Sequence, residues 1–304
     1  MTLVVLFAVL PARGAATSAT GSAPVLVYER YGDLLASTVD GSRTVRITAT
    51  KLCECEAALS SDGRFVTYVR ARSVRAGVLR GGDGVWTMRI DGSARRRLTS
   101  NRTDRGPVWS ADHRTIYFER DLPPACPSGC VPCSGLFRIG SDGRGFRRLD
   151  PRIALGHEFA AAPAPDAWHL AYVAWTGCEG GTTDGGVRIR HLTRSGSPIG
   201  TPIDFFFGGD PAWSPDSRRL ALIAGPTFEN GGLAIMNRDG SDRRLIVPRK
   251  VNVIHPMWSP DGQWLMFASD GDLVVVRPDG SKRKRVMRTP SVAETPVGWL
   301  TRLP

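Results

Sequence analysis

The chain has 304 residues, of which 41% are hydrophobic and 23% are charged. This balance is typical of a folded globular protein and excludes an intrinsically disordered chain. No run of roughly 18 apolar residues occurs in the sequence, which excludes an ordinary transmembrane helix. Lysine and arginine total 40 against 29 acidic residues, and the resulting formal net charge of +11 attracts anionic polymers.

The first 23 residues differ in composition from the rest. Leu3 to Leu10 are all apolar, and the small residues 15–23 that follow can host a signal-peptidase site. We predict a signal peptide or a disordered segment over 1–23, and a single domain over 24–304. A signal peptide would export the chain from the cytoplasm, and the presence of six cysteines also favours export.

A short turn motif recurs six times along the chain. It is an Asp-Gly or Ser-Gly pair between runs rich in Val, Ile, Leu and Arg, a pattern that predicts a tight hairpin because Gly accepts positive φ. The six copies are Asp40-Gly41, Asp91-Gly92, Asp142-Gly143, Ser195-Gly196, Asp239-Gly240 and Asp279-Gly280.

A second motif precedes the hairpins and is fullest at residues 256–262, Pro-Met-Trp-Ser-Pro-Asp-Gly. Weaker copies occur at 57–63, 107–112, 161–166 and 211–216, each followed by an apolar, strand-like run such as 65–69. Every unit therefore holds four short strands. Four strands per unit of about 40 to 50 residues indicate the blades of an all-β propeller.

The two motifs together resemble the TolB-type repeat, a WD-like propeller repeat whose consensus runs close to Pro-x-Trp-Ser-Pro-Asp-Gly, two strands, Asp-Gly-Ser and Arg-Arg-Leu-Thr. The match continues at 96–99, Arg-Arg-Leu-Thr, and covers roughly residues 25 to 300. The resemblance implies a six-bladed β-propeller of four-stranded blades. TolB itself is periplasmic, carries an additional N-terminal α/β domain and binds a peptidoglycan-associated lipoprotein. We expect no such extra domain here, and the resemblance carries over no binding residue.

The two ends of the domain predict how the ring closes. Residues 25–28 begin the first unit without the second motif, whereas 296–299, Pro-Val-Gly-Trp, supply that motif with no unit after it. We predict that the C-terminal strand completes the first blade and locks the ring.

Two sets of loops lie on the same face of the propeller, namely the loops that lead into the innermost strands and the loops that join the second and third strands. We call this face the channel face. The positions just before the innermost strands are Glu56, Gly106, Ala160, Asp210, His255 and Thr295. We predict a binding site at the channel mouth formed by Glu56, His157, Glu158, Asp210 and His255. Polar residues are also expected there simply because water fills a channel. In an enzyme, the acid, base or metal ligands would be His255, Asp210, His157 and Glu158.

The six cysteines map to the channel face. Cys53 and Cys55 lie in the loop that leads into the second unit, and the remaining four, Cys126, Cys130, Cys133 and Cys178, lie in insertions of the third and fourth units. We predict disulfides that staple long loops, with fifteen pairings open, and neither a metal nor a cofactor. A zinc site is the alternative if the chain is cytoplasmic, because reduced thiolates are good ligands.

Basic runs follow the hairpins, at 95–97, 147–148, 243–244 and 282–285. These positions belong to the outermost strands, where charge prevents edge-to-edge aggregation. We do not expect nucleic acid as a partner, because no recognisable binding motif and no interleaved aromatic residues accompany the runs.

Three functions are compatible with this pattern. We predict a non-enzymatic, extracytoplasmic binding or scaffold module for a protein or peptide of the cell envelope. The alternative is a lyase or hydrolase that acts on an anionic glycan at the channel mouth. A weaker one is an intracellular metal- or redox-responsive protein that uses the six thiols. No Gly-x-Ser-x-Gly elbow follows the last unit, which argues against a serine peptidase.

Overall fold

The computed structural model describes residues 25–30, 32–38, 43–75, 78–123, 133–150, 156–176, 185–205, 208–225, 231–270, 272–288 and 295–300. The predicted N-terminal segment 1–23 and the hairpin at Asp40-Gly41 lie outside the described residues, so both stay predictions.

Six four-stranded antiparallel blades surround a central channel, which confirms the predicted all-β propeller. From the channel outward, the first blade consists of β26 (Thr295–Leu300), β1 (Val25–Arg30), β2 (Asp33–Thr38) and β3 (Thr44–Arg46), and the second of β4 (Cys53–Leu59), β5 (Phe65–Ala71), β8 (Val85–Arg89) and β9 (Arg96–Arg97). The third consists of β10 (Arg105–Trp109), β11 (Thr115–Asp121), β12 (Ser134–Gly140) and β13 (Arg147–Arg148), and the fourth of β14 (Gly156–Pro163), β15 (His169–Thr176), β16 (Gly185–Leu192) and β17 (Pro198–Phe205). The fifth consists of β18 (Gly209–Trp213), β19 (Arg219–Ala224), β20 (Gly232–Asn237) and β21 (Arg244–Val247), and the sixth of β22 (Ile254–Trp258), β23 (Leu265–Ser269), β24 (Asp272–Val276) and β25 (Lys284–Arg288).

Two additions depart from this simple pattern. A short hairpin of β6 (Ser73–Arg75) and β7 (Val78–Arg80) is inserted between the second and third strands of the second blade. One parallel pairing, between Ser134 and His157, joins the third blade to the fourth. The described residues include no helix of the length and apolarity needed to cross a bilayer.

The ring closes as the sequence predicts. Strand β26 pairs antiparallel with β1, with Val25 opposite Leu300 and Leu26 opposite Trp299. The innermost strand of the first blade is therefore the last described strand, and it lies beside the first described strand in one sheet.

The Ser-x-Asp part of the second motif forms the turn between the first and second strands of a blade. In the fifth blade, Ser214 Oγ donates to Asp216, and the same Oγ accepts the N–H of Arg219 at 2.9 Å. The Asp216 carboxylate also accepts the N–H of Arg218 at 3.1 Å. The same bonds recur in the turns at 60–65, 110–115 and 259–264. These local bonds satisfy the turn backbone, which explains why this polar pair repeats in four of the units.

The tryptophan of the same motif links successive blades. Trp213 Nε1 donates to the carbonyl oxygen of Ala162 at 2.8 Å, and Trp258 Nε1 donates to that of Ala212 at 3.2 Å. Each bond joins the innermost strands of two neighbouring blades. Both rings are almost fully buried, so the motif stabilises the ring as well as the turn.

The core lies between the faces of adjacent blades rather than in one central cluster. Between the fourth and fifth blades, Val187 and Ile189 pack against Leu220, Leu222 and Met236, all of them at most 2% exposed. No blade can bury both of its apolar faces alone, so the stability of each one depends on its neighbours.

The hairpins and the outer strands also follow the prediction. Five of the six hairpin glycines are described, and their φ values lie between 73° and 86°, namely Gly92, Gly143, Gly196, Gly240 and Gly280. The basic runs after them enter the outermost strands, where Arg96 and Arg97 form β9 and are exposed.

Candidate functional site

Five innermost strands share a β-bulge at one residue with left-handed backbone geometry. The five residues, with φ between 48° and 57°, are Glu56, Gly106, Ala160, Asp210 and His255. The sequence places these positions just before the strands, but the strands begin one to four residues earlier and include the bulges. Each non-glycine residue of this conformation costs on the order of 1 kcal/mol or more, so the bulge needs compensating contacts.

A carboxylate from the preceding blade supplies one such contact. Asp210 Oδ2 accepts the backbone N–H of His255 at 2.7 Å, and Glu56 Oε2 accepts that of Gly106 at 2.7 Å. In these two cases the bulge residue of one blade holds the bulge residue of the next. Acidic side chains therefore connect the innermost strands of neighbouring blades by hydrogen bonds.

Two further carboxylates, which the sequence analysis missed, do the same from the second strands of their blades. Glu29 Oε2 accepts the N–H of Glu56 at 3.1 Å, and Glu119 Oε1 accepts the N–H of Ala160 at 3.0 Å. The two residues are equivalent, since Glu29 pairs with Thr295 and Glu119 pairs with Arg105 on the innermost strands. Each of them follows an apolar run in its strand, but β11 also contains Asp121, so the sequence pattern alone does not single out these two acids.

Asp210 and His255 form an ion pair at the channel mouth. The ring Nδ1 of His255 lies 2.8 Å from Asp210 Oδ2, and the two side chains are 35% and 21% exposed, respectively. Burial opposes the charge on both groups, but the charge of His255 and its hydrogen bonds hold the pKa of Asp210 below its usual value. The charges of Asp210 and Glu56 likewise outweigh burial and raise the pKa of His255.

Burial raises the pKa of three other carboxyl groups at the mouth. Burial raises the pKa of Glu29 to about 7, and the negative charge of Glu56 adds to the effect. Burial also raises the pKa of Glu119 to about 7, even though Arg105 Nε donates to its Oε2 at 3.0 Å. The pKa of Glu56 is raised by burial as well, against the Gly106 N–H and the charges of Arg105 and His255.

Glu158 contacts the third blade and does not join this cluster. Its side chain is 1% exposed, and its Oε2 accepts the N–H of Leu136 at 3.1 Å. It stands two residues before a bulge, as Glu54 and Asp104 do, and these three acids are all buried. The backbone of His157 lies in β14, but its side chain lies outside the described residues.

Cys53 and Cys55 are arranged differently from the expectation of stapled loops. They lie within β4 rather than in the loop before it, and their sulfur atoms form a disulfide-like contact. They approach Glu29, whose Oε1 lies 3.7 Å from Cys53 Sγ. In a disulfide, neither sulfur can act as a thiolate ligand. Cys133 is also disulfide-bonded, and the other three, Cys126, Cys130 and Cys178, lie outside the described residues.

Comparison of the sequence with known proteins gives short matches. A scan against protein-family models finds no match. A stretch of 117 residues is 37% identical to the protein TolB homolog of Chlorobium luteolum and covers 37% of this chain and 24% of that protein. A stretch of 57 residues is 39% identical to the uncharacterized peptidase YuxL of Bacillus subtilis and covers 19% of this chain and 9% of YuxL. The chain thus aligns with a quarter or less of the length of these curated relatives.

Comparison of structures covers nearly the whole chain. TolB from Acinetobacter baumannii superposes with a TM-score of 0.68 at 17% identity, over 92% of this chain and 67% of that one. An oligogalacturonate lyase from Vibrio parahaemolyticus superposes with a TM-score of 0.58 at 12% identity, over 81% of this chain and 71% of the lyase. At these identities the likeness concerns the fold. The chain has the six-bladed β-propeller fold of the TolB-type repeat proteins.

Proposed function

We propose that the chain is a non-enzymatic binding or scaffold module that holds a protein or peptide of the cell envelope at its channel face. The observation that supports this proposal is that the carboxylates of the channel mouth are already engaged. Four of them accept backbone N–H groups of the next blade. Groups fixed in this way form a rigid polar surface, which suits recognition better than proton transfer in a reaction.

The charge of the mouth favours a basic segment of the partner. Although the whole chain carries a net charge of +11, the described residues of its channel mouth combine five carboxylates with two cationic side chains. The carboxylates are Glu29, Glu56, Glu119, Asp121 and Asp210, and the cationic side chains are Arg105 and His255. Above about pH 7, where Glu29 and Glu119 are ionised, a lysine or arginine side chain that enters the channel meets complementary charge, whereas an anionic group is repelled.

An extracytoplasmic location fits the same proposal. The resemblance to TolB-type repeats, the signal-like composition of residues 1–23 and the disulfide bonding of Cys53, Cys55 and Cys133 all favour an oxidising compartment.

The imidazole of His255 offers a direct test of the channel preference. Three capped tripeptides, Ala-Lys-Ala, Ala-Gln-Ala and Ala-Glu-Ala, are titrated into the protein while the imidazole resonances of His255 are followed by NMR. We expect saturable shifts with the lysine peptide alone, and a several-fold weaker response in Glu119→Gln. The Asp242→Asn variant, which alters an exposed acid after the hairpin on the opposite face, serves as the control. Equal responses to all three peptides, or a preference for the glutamate peptide, would contradict the proposed charge selectivity.

An enzyme acting on an anionic glycan is the second candidate. The Asp210–His255 pair favours it, because a carboxylate that orients an imidazole is a common general-base arrangement. The mouth opposes it above about pH 7, where Glu29 and Glu119 are ionised and the substrate carries like charge. The test is turnover of oligogalacturonate by the wild type, His255→Ala and Asp210→Ala, with the exposed His191→Ala as the control. If the wild type turns over the substrate and only the two channel substitutions abolish turnover, the chain is an enzyme rather than a binding module.

A further inference from the structure

A cavity of about 460 Å³ lies on the channel face beside the second blade, away from the Asp210–His255 pair. Four chain segments form it: the loop before β4, the end of β5, the segment after β7 and the turn between β9 and β10. Its charged lining residues are Arg70, Arg72, Asp83, Arg97 and Arg102.

Asp83 is the one acid among the described lining residues, and its charge is neutralised by its partners, so it does not oppose an anion. Asp83 Oδ2 accepts a hydrogen bond from Arg70 Nε at 2.9 Å, and Oδ1 accepts one from Trp86 Nε1 at 2.7 Å. The Arg70 guanidinium also stacks on the Trp86 ring at 3.8 Å. These three side chains form a fixed and neutral wall.

The other three arginines carry charge that no described carboxylate compensates. Arg97 donates from Nε to the carbonyl oxygen of Thr99 at 2.9 Å and from its terminal nitrogen to that of Asp83, so neutral acceptors fix its orientation. Arg72 and Arg102 are exposed, and within the described part of the chain neither forms an ion pair. Three guanidinium groups therefore surround the cavity without an acidic partner.

Two glycines allow the chain segments that form the cavity to lie close to each other. A Cβ on Gly82 would lie 2.9 Å from the carbonyl oxygen of Arg102, and a Cβ on Gly81 would lie 3.0 Å from Arg72 Cγ. Gly81 also has a φ of 66°, a conformation that other residues rarely adopt. Larger residues here would push Arg72 and Arg102 away from the cavity.

The arrangement matches the chemistry of phosphate. One guanidinium fork satisfies a carboxylate, whereas a phosphate group presents three terminal oxygens and up to two negative charges to donors from several sides. The volume is sufficient for a small molecule that carries such a group. We propose that this cavity binds a phosphate group carried by a small soluble molecule, independently of the function proposed for the channel mouth.

The test is a calorimetric titration of the full chain at low ionic strength with inorganic phosphate, glycerol 3-phosphate, glycerol, acetate and phosphatidylglycerol vesicles. We expect both phosphates to bind more tightly than acetate, and glycerol not to bind. The double variant Arg72→Ala/Arg102→Ala should bind both phosphates at least about tenfold more weakly, because it removes two charge-assisted hydrogen-bonding groups. A matched double variant, Arg283→Ala/Lys284→Ala, removes the same charge from the exposed sixth blade and should bind within about twofold of the wild type.

Three results would overturn the proposal. The first is an equal loss in both double variants, which would mean that overall charge, and not the cavity, attracts phosphate. The second is acetate binding as tightly as phosphate. The third is no binding of either soluble phosphate, and binding to the phosphatidylglycerol vesicles in that case would assign the arginines to a membrane surface. Unchanged thermal unfolding of both variants establishes that the comparison is made between folded proteins.

Discussion

His255 approaches a single oxygen of Asp210 twice, with its backbone N–H at 2.7 Å and its ring Nδ1 at 2.8 Å from Oδ2. The two residues are the bulge residues of the fifth and sixth blades. One carboxylate therefore stabilises a strained backbone, orients an imidazole and joins two blades, so its removal should affect both stability and titration.

Replacing Asp210 by Asn should destabilise the propeller by about 2 kcal/mol near pH 5.5, because a charge-assisted hydrogen bond is lost. The raised pKa of His255 adds stability that is complete below about pH 6.5 and lost as the pH rises through its folded pKa. The lowered pKa of Asp210 adds stability that is complete above about pH 3.8 and lost as the pH falls through its folded pKa. Urea unfolding across this window measures the difference.

Asp270→Asn is the matched control, because Asp270 is exposed and shares the left-handed φ of about 50°. It should change the stability by less than about 0.5 kcal/mol. NMR titration should also place the His255 pKa lower in Asp210→Asn than in the wild type. An unchanged His255 pKa would contradict the ion pair.

The stability of the Glu29→Gln variant, relative to the wild type, should increase as the pH rises. The pKa of Glu29 is about 7 in the fold against 4.5 as its ordinary value, so the native state binds the extra proton between these limits. The wild type therefore loses stability as the pH rises from about 4.5 to 7, whereas the Gln variant does not. The Gln oxygen can still accept the Glu56 N–H. Urea midpoints at pH 5 and pH 8 test this, and a constant difference between the two proteins would count against the burial of a protonated Glu29.

Replacing Trp258 by Phe should cost about 1 to 2 kcal/mol, because it removes the hydrogen bond to Ala212 and part of a buried ring. Trp168→Phe is the control, since that ring is 46% exposed and should tolerate the change within about 0.5 kcal/mol. Similar losses in both variants would mean that the tryptophan of the motif does not link the blades.

Ending the chain before Thr295 should open the ring, because β1 then loses its partner β26. We expect a fall in Tm on the order of 10 °C or more and a less cooperative transition in calorimetry. Removal of residues 301–304 alone keeps β26 and serves as the control. A full-length Tm in the shorter protein would show that strand closure contributes little.

The sequence predicts the features that local chemistry determines. The turn at Ser214 and Asp216 uses bonds within six residues, so its pattern repeats visibly and reveals the blade count. The positions of Asp210 and His255 follow from counting along each unit. Their pairing does not follow from the sequence, because it depends on which carboxylate oxygen of one blade reaches the backbone of the next blade.

Features that depend on side-chain direction were not predictable in this way. Glu29 and Glu119 act across blades from second strands, where nothing in the local pattern distinguishes them from other acids. Glu158 lies two residues before a bulge, and the direction of its side chain depends on bulge geometry. Cys53 and Cys55 are two residues apart in one strand, so their side chains emerge on the same side and meet there.

The measurement that tests the proposed function most directly is site-specific photo-crosslinking in the native host. A photoreactive amino acid replaces Lys250, in the turn before β22 on the channel face, or, as the control, Arg144 on the opposite face, and both positions are exposed. We expect a discrete protein adduct from position 250 that is absent from position 144 and weakened by Glu119→Gln. The same adducts from both positions, or none from position 250, would contradict a protein partner at the channel face.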